Sequence, residues 1–321
     1  MPGVDSRDGS RDWVRSVPSV ATVSRLVESE YRVAVTGAVL VRSSTNDVYR
    51  VDTAVRSYAV KVYGAGRWTP DEVRWEQQLA RHLTDSGFPI AADVPLADGD
   101  TVGILSAPEG ERPVAMAEWM PGEKPQPPGT DALYRDLGRS LAQFHVAADH
   151  FRSSRPRRTV RTASEVREVS DVLDTDSPRR RLIEGAAAEA QRQLTRLADQ
   201  GLHWGIRHGD ASLDNIHVSD SGLHFYDLDL AGPGWQVEDL TPALSTGFAD
   251  AFLAGYTAVR PLPSVELEAL PWLRIMNCLQ NLHFHLVRRP ASEGTASLAE
   301  GWVEAGFEAL AATAGPLGLD I

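Results

Sequence analysis

Cysteine and lysine are both scarce in this chain of 321 residues. Cys278 is the only cysteine, which excludes an internal disulfide and a cysteine cluster for zinc, and which suits a reducing cytoplasm. No apolar run reaches the length of a membrane span, and the polar stretch from Met1 to Arg15 is unlike a signal peptide. We therefore expect a cytoplasmic protein without a membrane-spanning segment.

Acidic side chains outnumber basic ones. The formal net charge of −12 argues against nucleic acid or an anionic membrane as a partner, and it is compatible with a cationic small molecule. The apolar content of 42% and charged content of 24% are ordinary for a globular protein, and the length allows one large domain or two smaller ones. Of 32 basic residues only Lys61 and Lys124 are lysine, so either lysine deserves a chemical explanation.

The segment from His208 to Asn215, HGDASLDN, has the spacing H-x-D-x-x-x-x-N. Two short strands are predicted after it, separated by a turn at residues 220–222 and ending on Asp227. Such a hairpin brings Asp210, Asn215 and Asp227 to one point. Phosphoryl transfer needs these groups, because a carboxylate must lie beside the attacking hydroxyl while an amide and a second carboxylate hold magnesium. The alternative is a structural hairpin with Asp and Asn in its turns.

The segment from Ser57 to Tyr63 alternates as a β-strand and carries one of the two lysines. The alternation places Lys61 and Tyr63 on one face, with Val60 and Val62 on the other. The compact ammonium of Lys61 suits the α- and β-phosphates of a nucleotide. The alternative is an ordinary exposed lysine on a sheet face.

A helix is predicted to start at Thr69-Pro70-Asp71, where a cap residue precedes a proline in the first turn. The spacing then places Glu72 and Glu76 on one stripe with Leu79 and Leu83. A carboxylate on an apolar stripe needs a partner, and Glu76 lies deeper in the helix than Glu72. We therefore expect Glu76 to pair with Lys61, with Glu72 in reserve. An exposed contact with a neighbouring arginine is the alternative.

Residues 203–240 resemble the catalytic segment of the aminoglycoside phosphotransferase-like kinases, distant relatives of the protein kinases. By the order of motifs the resemblance extends over most of the chain from about residue 31. It implies an α+β, bilobal, protein-kinase-like fold, in which an N-lobe holds an antiparallel sheet plus a helix. The larger C-lobe is mainly helical and carries the catalytic hairpin. We expect a disordered tail over 1–18, a nucleotide-binding N-lobe over 19–120, and a C-lobe over 121–321 with the catalytic loop and substrate-binding helices.

The resemblance also implies roles for residues of the catalytic segment. Asp210 matches the catalytic base, His208 matches a residue that braces the loop, and Asn215 and Asp227 match the metal ligands. Asp239 matches a carboxylate that ties the catalytic loop down from behind.

In the N-lobe the resemblance implies a nucleotide site with two further parts. The turn before the strand of Tyr49 is similar to the family's Asn-x-x-Tyr-x-Val pattern, and its residues Ser44, Thr45 and Asn46 are expected to cover phosphate oxygens. The backbone of Glu118 and Met120 is expected to bind the adenine edge. Lys61, held by Glu76, completes this site across a cleft from the metal ligands.

The implied reaction is transfer of the γ-phosphoryl group of ATP, assisted by Mg²⁺, to an alcohol hydroxyl of a small molecule, either an antibiotic such as an aminoglycoside or a metabolite. The alternative is a serine/threonine kinase for a protein or a biosynthetic precursor peptide. An arginine-rich stretch is then the candidate binding site for an acidic peptide, and the alternative is a solvated loop. The stretch contains Arg152, Arg155, Arg157, Arg158 and Arg161. A non-catalytic nucleotide-binding pseudokinase is disfavoured, because every expected polar group is present.

Overall fold

Six antiparallel strands form the sheet in the first part of the chain. They are seen in a computed structural model that describes residues 14–159 and 162–319. The strand order is β1-β2-β3-β6-β4, and β5 also pairs with β6. The bounds are Gly37–Ser43 (β1), Asp47–Asp52 (β2), Ser57–Val62 (β3), Asp93–Val94 (β4), Gly103–Ala107 (β5) and Gly110–Glu118 (β6).

The two faces of this sheet pack against different helices. Helix α1 (Val20–Leu26) continues as a π-helical turn and packs on the face of β3 that carries Val60 and Val62. Helix α2 (Pro70–Asp85) contributes Val73 to a second cluster with Tyr63 and Ala115 of the opposite face. The period-2 alternation predicted for β3 is therefore confirmed, and Lys61 lies on the α2 side.

Residues 14–18 are held on the sheet by polar contacts. The Ser16 N–H and hydroxyl both donate to Glu109 at 3.1 Å. Arg15 pairs with Asp47, which also accepts a hydrogen bond from Arg112 at 2.8 Å. The tail that was expected to be disordered extends to residue 18, and its residues 14–18 have these contacts because buried charges need partners. The rest of the predicted tail lies outside the described residues.

Seven helices dominate the second part of the described chain. Helices α3 and α6 pack closely at Gly255, where an added Cβ atom would lie 1.9 Å from the Arg135 carbonyl oxygen. Helix α7 packs against α4, α5 and α9. The bounds are Asp131–Ala148 (α3), Thr162–Asp171 (α4), Pro178–Asp199 (α5), Ala249–Thr257 (α6), Ser264–His283 (α7), Arg289–Glu293 (α8) and Trp302–Ala314 (α9).

Two small antiparallel pairs lie among these helices. The predicted hairpin is confirmed as β8 (Ile216–Ser219) and β9 (Gly222–Phe225), with Ile216 opposite Phe225. The second pair joins β7 (Trp204–Arg207) to β10 (Gly232–Trp235), with Arg207 opposite Gly232. The pairing of β7 fixes the start of the polar loop 208–215, and the pairing of β9 fixes the chain just before Asp227.

The described residues divide into two compact units. Residues 14–81, 91–120 and 153–156 form the N-terminal unit, and residues 82–90, 121–152, 157–159 and 162–319 form the C-terminal unit. The first contains the sheet and the second is mainly helical, as the α+β, protein-kinase-like fold class predicts. Among the described residues no helix combines the length and the apolar character needed to cross a bilayer.

Candidate active site

The catalytic loop follows β7 and is fixed from behind by a carboxylate. Asp239 accepts hydrogen bonds from the backbone N–H groups of His208 (2.6 Å) and Gly209 (2.8 Å). Its Oδ2 also lies 3.0 Å from Nε2 of His145, whose Nδ1 lies 2.8 Å from the Tyr256 hydroxyl. Burial raises the Asp239 pKa, but the His145 hydrogen bond and nearby positive charges outweigh it and leave the pKa below its ordinary value. The carboxylate is therefore ionised and holds the loop.

The His208 side chain is fully buried inside this loop. Its ring packs against Phe144 and Phe225, with centroids 5.3 and 5.7 Å away. Burial lowers the His208 pKa despite nearby carboxylates, so the imidazole is neutral. Nδ1 accepts the backbone N–H of Asp210 at 3.3 Å, which assigns the proton to Nε2. These contacts are those of a residue that braces the loop.

Asp210 and Asn215 are joined directly. Nδ2 of Asn215 donates to Oδ2 of Asp210 at 2.8 Å and to the Asp210 carbonyl oxygen at 3.0 Å. Burial raises the pKa of the Asp210 carboxyl, an effect that His208 and the Asn215 hydrogen bond partly offset and that the charge of Asp227 increases. Asp210 and Asn215 are therefore direct neighbours within the C-terminal unit.

Asp227 follows β9 in an unusual backbone conformation. Its φ is +66°, in the left-handed region, which costs a non-glycine residue on the order of 1–3 kcal/mol. The hairpin places it there, because the Tyr226 N–H donates to the Asn215 carbonyl oxygen at 3.1 Å and Asp227 is the next residue. Oδ1 of Asp227 accepts the Asp229 N–H at 3.3 Å. Strain of this kind is typical of functional sites.

The turn after Asp227 fits closely against the catalytic loop. Gly209 has a φ of +82°, and an added Cβ atom there would lie 2.2 Å from the Leu230 carbonyl oxygen. Any residue larger than glycine would separate the two loops. The glycine in the H-x-D motif is therefore required by packing.

In the N-terminal unit, Lys61 forms the predicted ion pair with Glu76. The Lys61 Nζ lies 3.0 Å from Glu76 Oε1, and the side chains are 15% and 4% exposed. The Tyr63 hydroxyl donates to the same oxygen at 2.8 Å, and the ammonium lies 4.7 Å from the centre of the Tyr63 ring. Glu72 instead forms a capping box with Thr69, each accepting a backbone N–H of the other. The structure therefore places Glu76 beside Lys61 and uses Glu72 at the start of the helix.

The turn between β1 and β2 contains the three residues expected to cover phosphates. Asn46 is buried, and its Oδ1 accepts the backbone N–H of Gly64 at 3.1 Å. The Ser44 N–H donates to the Asn46 carbonyl oxygen at 3.0 Å, so Ser44, Thr45 and Asn46 form a closed turn. The side-chain amide of Asn46 thus ties the turn to the chain after β3.

At the end of β6, the Glu118 N–H donates to the Ala92 carbonyl oxygen at 2.9 Å, and the Glu118 carboxylate pairs with Arg56. The Trp119 N–H donates to Ser57 at 3.1 Å, which continues the pairing of β6 with β3 up to the residue before Met120. The segment expected to bind adenine is therefore ordered by strand pairing.

The arginine-rich stretch does not form one exposed surface. Arg157 is buried and bonds to backbone carbonyls, Arg155 pairs with Asp71, and Arg152 donates to the carbonyl oxygens of Asp149 and Phe151. The contacts do not support a peptide-binding surface at these residues, because their guanidinium groups have intramolecular partners. Arg161 lies outside the described residues.

A profile of the phosphotransferase enzyme family matches residues 38–270. The chain belongs to this family. It is a phosphotransferase that uses a hydroxyl group as acceptor. The chain is 32% identical over 316 residues to an uncharacterized protein of Deinococcus radiodurans, with 92% of this chain and 90% of the relative covered. It is 29% identical over 248 residues to a homoserine kinase of Azorhizobium caulinodans, with 71% of this chain and 73% of that kinase covered.

Solved structures agree on the fold. An amicoumacin kinase in complex with AMP-PNP, Ca²⁺ and Ami superposes with a TM-score of 0.68, covering 90% of this chain and 93% of that one. Its sequence is 17% identical to the phosphotransferase, so the likeness concerns the fold.

Three contacts of the phosphotransferase site were not anticipated from sequence. The strand alternation of β3 could have indicated Tyr63, because it shares a face with Lys61. His145 lies on α3, and its bond to Asp239 depends on a residue far along the chain. Arg157 has no signal that distinguishes it from the arginines beside it.

Proposed function

We propose that this phosphotransferase moves the γ-phosphoryl group of ATP to a hydroxyl group of a small molecule. The observation that carries this proposal is the hydrogen-bonded pair of Asp210 and Asn215 on a loop held by Asp239. A carboxylate fixed in this way is suited to orient an acceptor hydroxyl and to take its proton.

In the proposed reaction the acceptor oxygen attacks the γ-phosphorus, and the bond from that phosphorus to the β-phosphate oxygen breaks, so that ADP leaves. The acceptor proton passes to a carboxylate oxygen of Asp210 late in the step, because the transition state is loose. Lys61, aimed by Glu76 and Tyr63, binds the α- and β-phosphates. We assign Ser44, Thr45 and Asn46 to covering the phosphates, and the backbone of Glu118 and Met120 to the adenine edge.

The residues present fit a magnesium ion bound together with a nucleotide. Nδ2 of Asn215 is used by Asp210, so Oδ1 is the atom that would bind a cation, and Asp227 would supply a carboxylate. Among the described residues no three His, Cys, Asp or Glu side chains are grouped as a metal site. The ion would then take its other ligands from phosphate oxygens and water, as Mg²⁺ commonly does. When bound, it neutralises charge on the phosphates.

For the acceptor we propose a hydroxylated compound that also carries an amine. Similarity to a homoserine kinase over 71% of this chain supports this choice, and so does the net charge of −12, which favours a cationic substrate. No observation favours a peptide acceptor, since Arg152, Arg155 and Arg157 are engaged within the chain.

The test is a substrate screen with ATP or GTP and Mg²⁺. Homoserine, simple amino alcohols, aminoglycosides and serine-containing peptides would be incubated with the enzyme, and acceptor-dependent ADP or GDP release and the mass of one added phosphoryl group would be measured. Asp210→Asn is the matched control. We expect phosphorylation of an amine-bearing small molecule by the wild type alone. Phosphorylation of peptides only, or equal transfer by Asp210→Asn, would reject the proposal.

A further inference from the structure

The guanidinium of Arg157 is buried although it lies in the connection between α3 and α4. Only 9% of the residue is exposed. A buried cation is tolerated when its N–H groups are bonded, so the partners of this side chain show what it holds in place.

Those partners include three carbonyl oxygens of one turn. Arg157 Nε donates to Ala231 at 2.8 Å, and Nη2 donates to Leu228 at 3.2 Å and to Asp229 at 2.6 Å. The same turn is closed by the Ala231 N–H, which donates to the Leu228 carbonyl oxygen at 2.9 Å. A planar guanidinium can meet several oxygens in fixed directions, which a lysine ammonium does not do.

The turn from Leu228 to Ala231 connects two parts of the site. On one side it follows Asp227, whose backbone is in the left-handed region and whose Oδ1 accepts the Asp229 N–H. On the other side it leads into β10, which pairs with β7 just before the catalytic loop. The position of the Asp227 carboxylate therefore depends on the position of this turn.

We propose that Arg157 is a positioning residue that fixes the turn 228–231 and thereby aims Asp227 at the divalent cation. The proposal rests on the metal role proposed for Asp227. Arg157 does not touch the cation itself. Replacing Arg157 should therefore change how nucleotide affinity depends on the Mg²⁺ concentration. Replacing a merely structural residue would leave that dependence unchanged.

The experiment uses the full chain with Arg157→Gln and Arg157→Lys, and Arg155→Gln as the matched control. Arg155 lies two residues away, is partly exposed, and pairs with Asp71. The affinity for AMP-PNP would be measured by calorimetry, first with a chelator and then over a Mg²⁺ titration. Folding would be checked by circular dichroism and thermal unfolding.

For the Arg157 variants we expect the Mg²⁺ concentration for half-maximal gain in affinity to rise about 10- to 100-fold, the usual effect of losing a residue that supports a metal ligand. The affinity in chelator should stay at the wild-type value, and Arg155→Gln should match the wild type throughout. A folded Arg157 variant with unchanged magnesium dependence would overturn the proposal. So would failure of both variants to fold, which would make Arg157 a general requirement of the fold.

Asp227→Ala separates this proposal from the proposed function. Loss of the magnesium-dependent gain in Asp227→Ala supports the metal role on which the proposal rests. If Asp227→Ala keeps that gain, the metal assignment itself fails, whatever the Arg157 variants do. If Asp227→Ala loses the gain and the folded Arg157 variants keep it, only the positioning role fails.

Discussion

The ion pair between Lys61 and Glu76 allows a direct test of the phosphate-binding role proposed for Lys61. Glu76 Oε1 lies 3.0 Å from the ammonium and is 2.8 Å from the Tyr63 hydroxyl. The pair is mostly buried, so solvent screens it only weakly. If Glu76 acts only by holding Lys61, its removal should have no effect once the lysine is gone.

Glu76→Gln keeps the shape of the side chain and removes its charge. A hydrogen bond to a charged group contributes about 1.5–3 kcal/mol, which corresponds to about a 10- to 150-fold change in rate. Glutamine can still accept one hydrogen bond, so we expect kcat/KM for ATP to fall about tenfold, near the lower limit. The KM for the acceptor should not change.

The assay is a double-mutant cycle on kcat/KM for ATP with Lys61→Met, Glu76→Gln and the double variant. We expect the double variant to equal Lys61→Met alone, which gives a coupling of the same size as the effect of Glu76→Gln. Urea unfolding of each variant controls for loss of folded protein. The reasoning is refuted if Glu76→Gln lowers kcat/KM by the same factor in both backgrounds, because additive effects would mean that Glu76 acts independently of Lys61.

Three further predictions concern other parts of the chain. Asp210→Asn should lower kcat by about 10²- to 10⁴-fold with nucleotide affinity unchanged, which steady-state kinetics and calorimetry will check; a near-wild-type kcat would remove the proposed base. Burial raises the Glu238 pKa above its ordinary value of 4.5, so the wild type should lose stability relative to Glu238→Gln as pH rises above that value, as urea midpoints will show. A constant difference as pH rises would contradict this. Arg112→Met should lower the free energy of unfolding by about 3–5 kcal/mol, because Arg112 and Asp47 are both fully buried; a loss below about 1 kcal/mol would show that other groups compensate.

Local patterns in the sequence predicted the parts of the site that lie on single elements. The hairpin of β8 and β9 was predictable because its strands are short, alternate, and are joined by a glycine-containing turn. For the helix, the period places both Glu72 and Glu76 on an apolar stripe, where a carboxylate needs a partner. The preference for Glu76 came from its deeper position in the helix and from the family's Glu-x-x-Leu pattern.

Contacts between distant segments were not predictable in the same way. The pairing of β7 with β10 joins four-residue strands that carry little alternation, and Arg157 meets its carbonyl partners more than seventy residues later. Residues 14–18 show no helical or strand period in sequence, but Arg112 and Asp47 hold them on the sheet. Such contacts depend on the desolvation of individual buried charges, which leaves no period in the sequence.

The uneven use of lysine and arginine follows from the shapes of the two cations. Arg112 donates to carbonyl oxygens of Ser16, Val62 and Tyr63 while pairing with Asp47, and Arg157 binds three carbonyl oxygens of one turn. A guanidinium has five N–H donors in fixed directions and can bind several oxygen atoms at once, whereas an ammonium is a compact point charge. At position 61 the proposed ligand is a pair of phosphates, and one carboxylate oxygen of Glu76 is enough to hold a point charge in place. A chain that almost always uses arginine therefore has a physical reason to use lysine there.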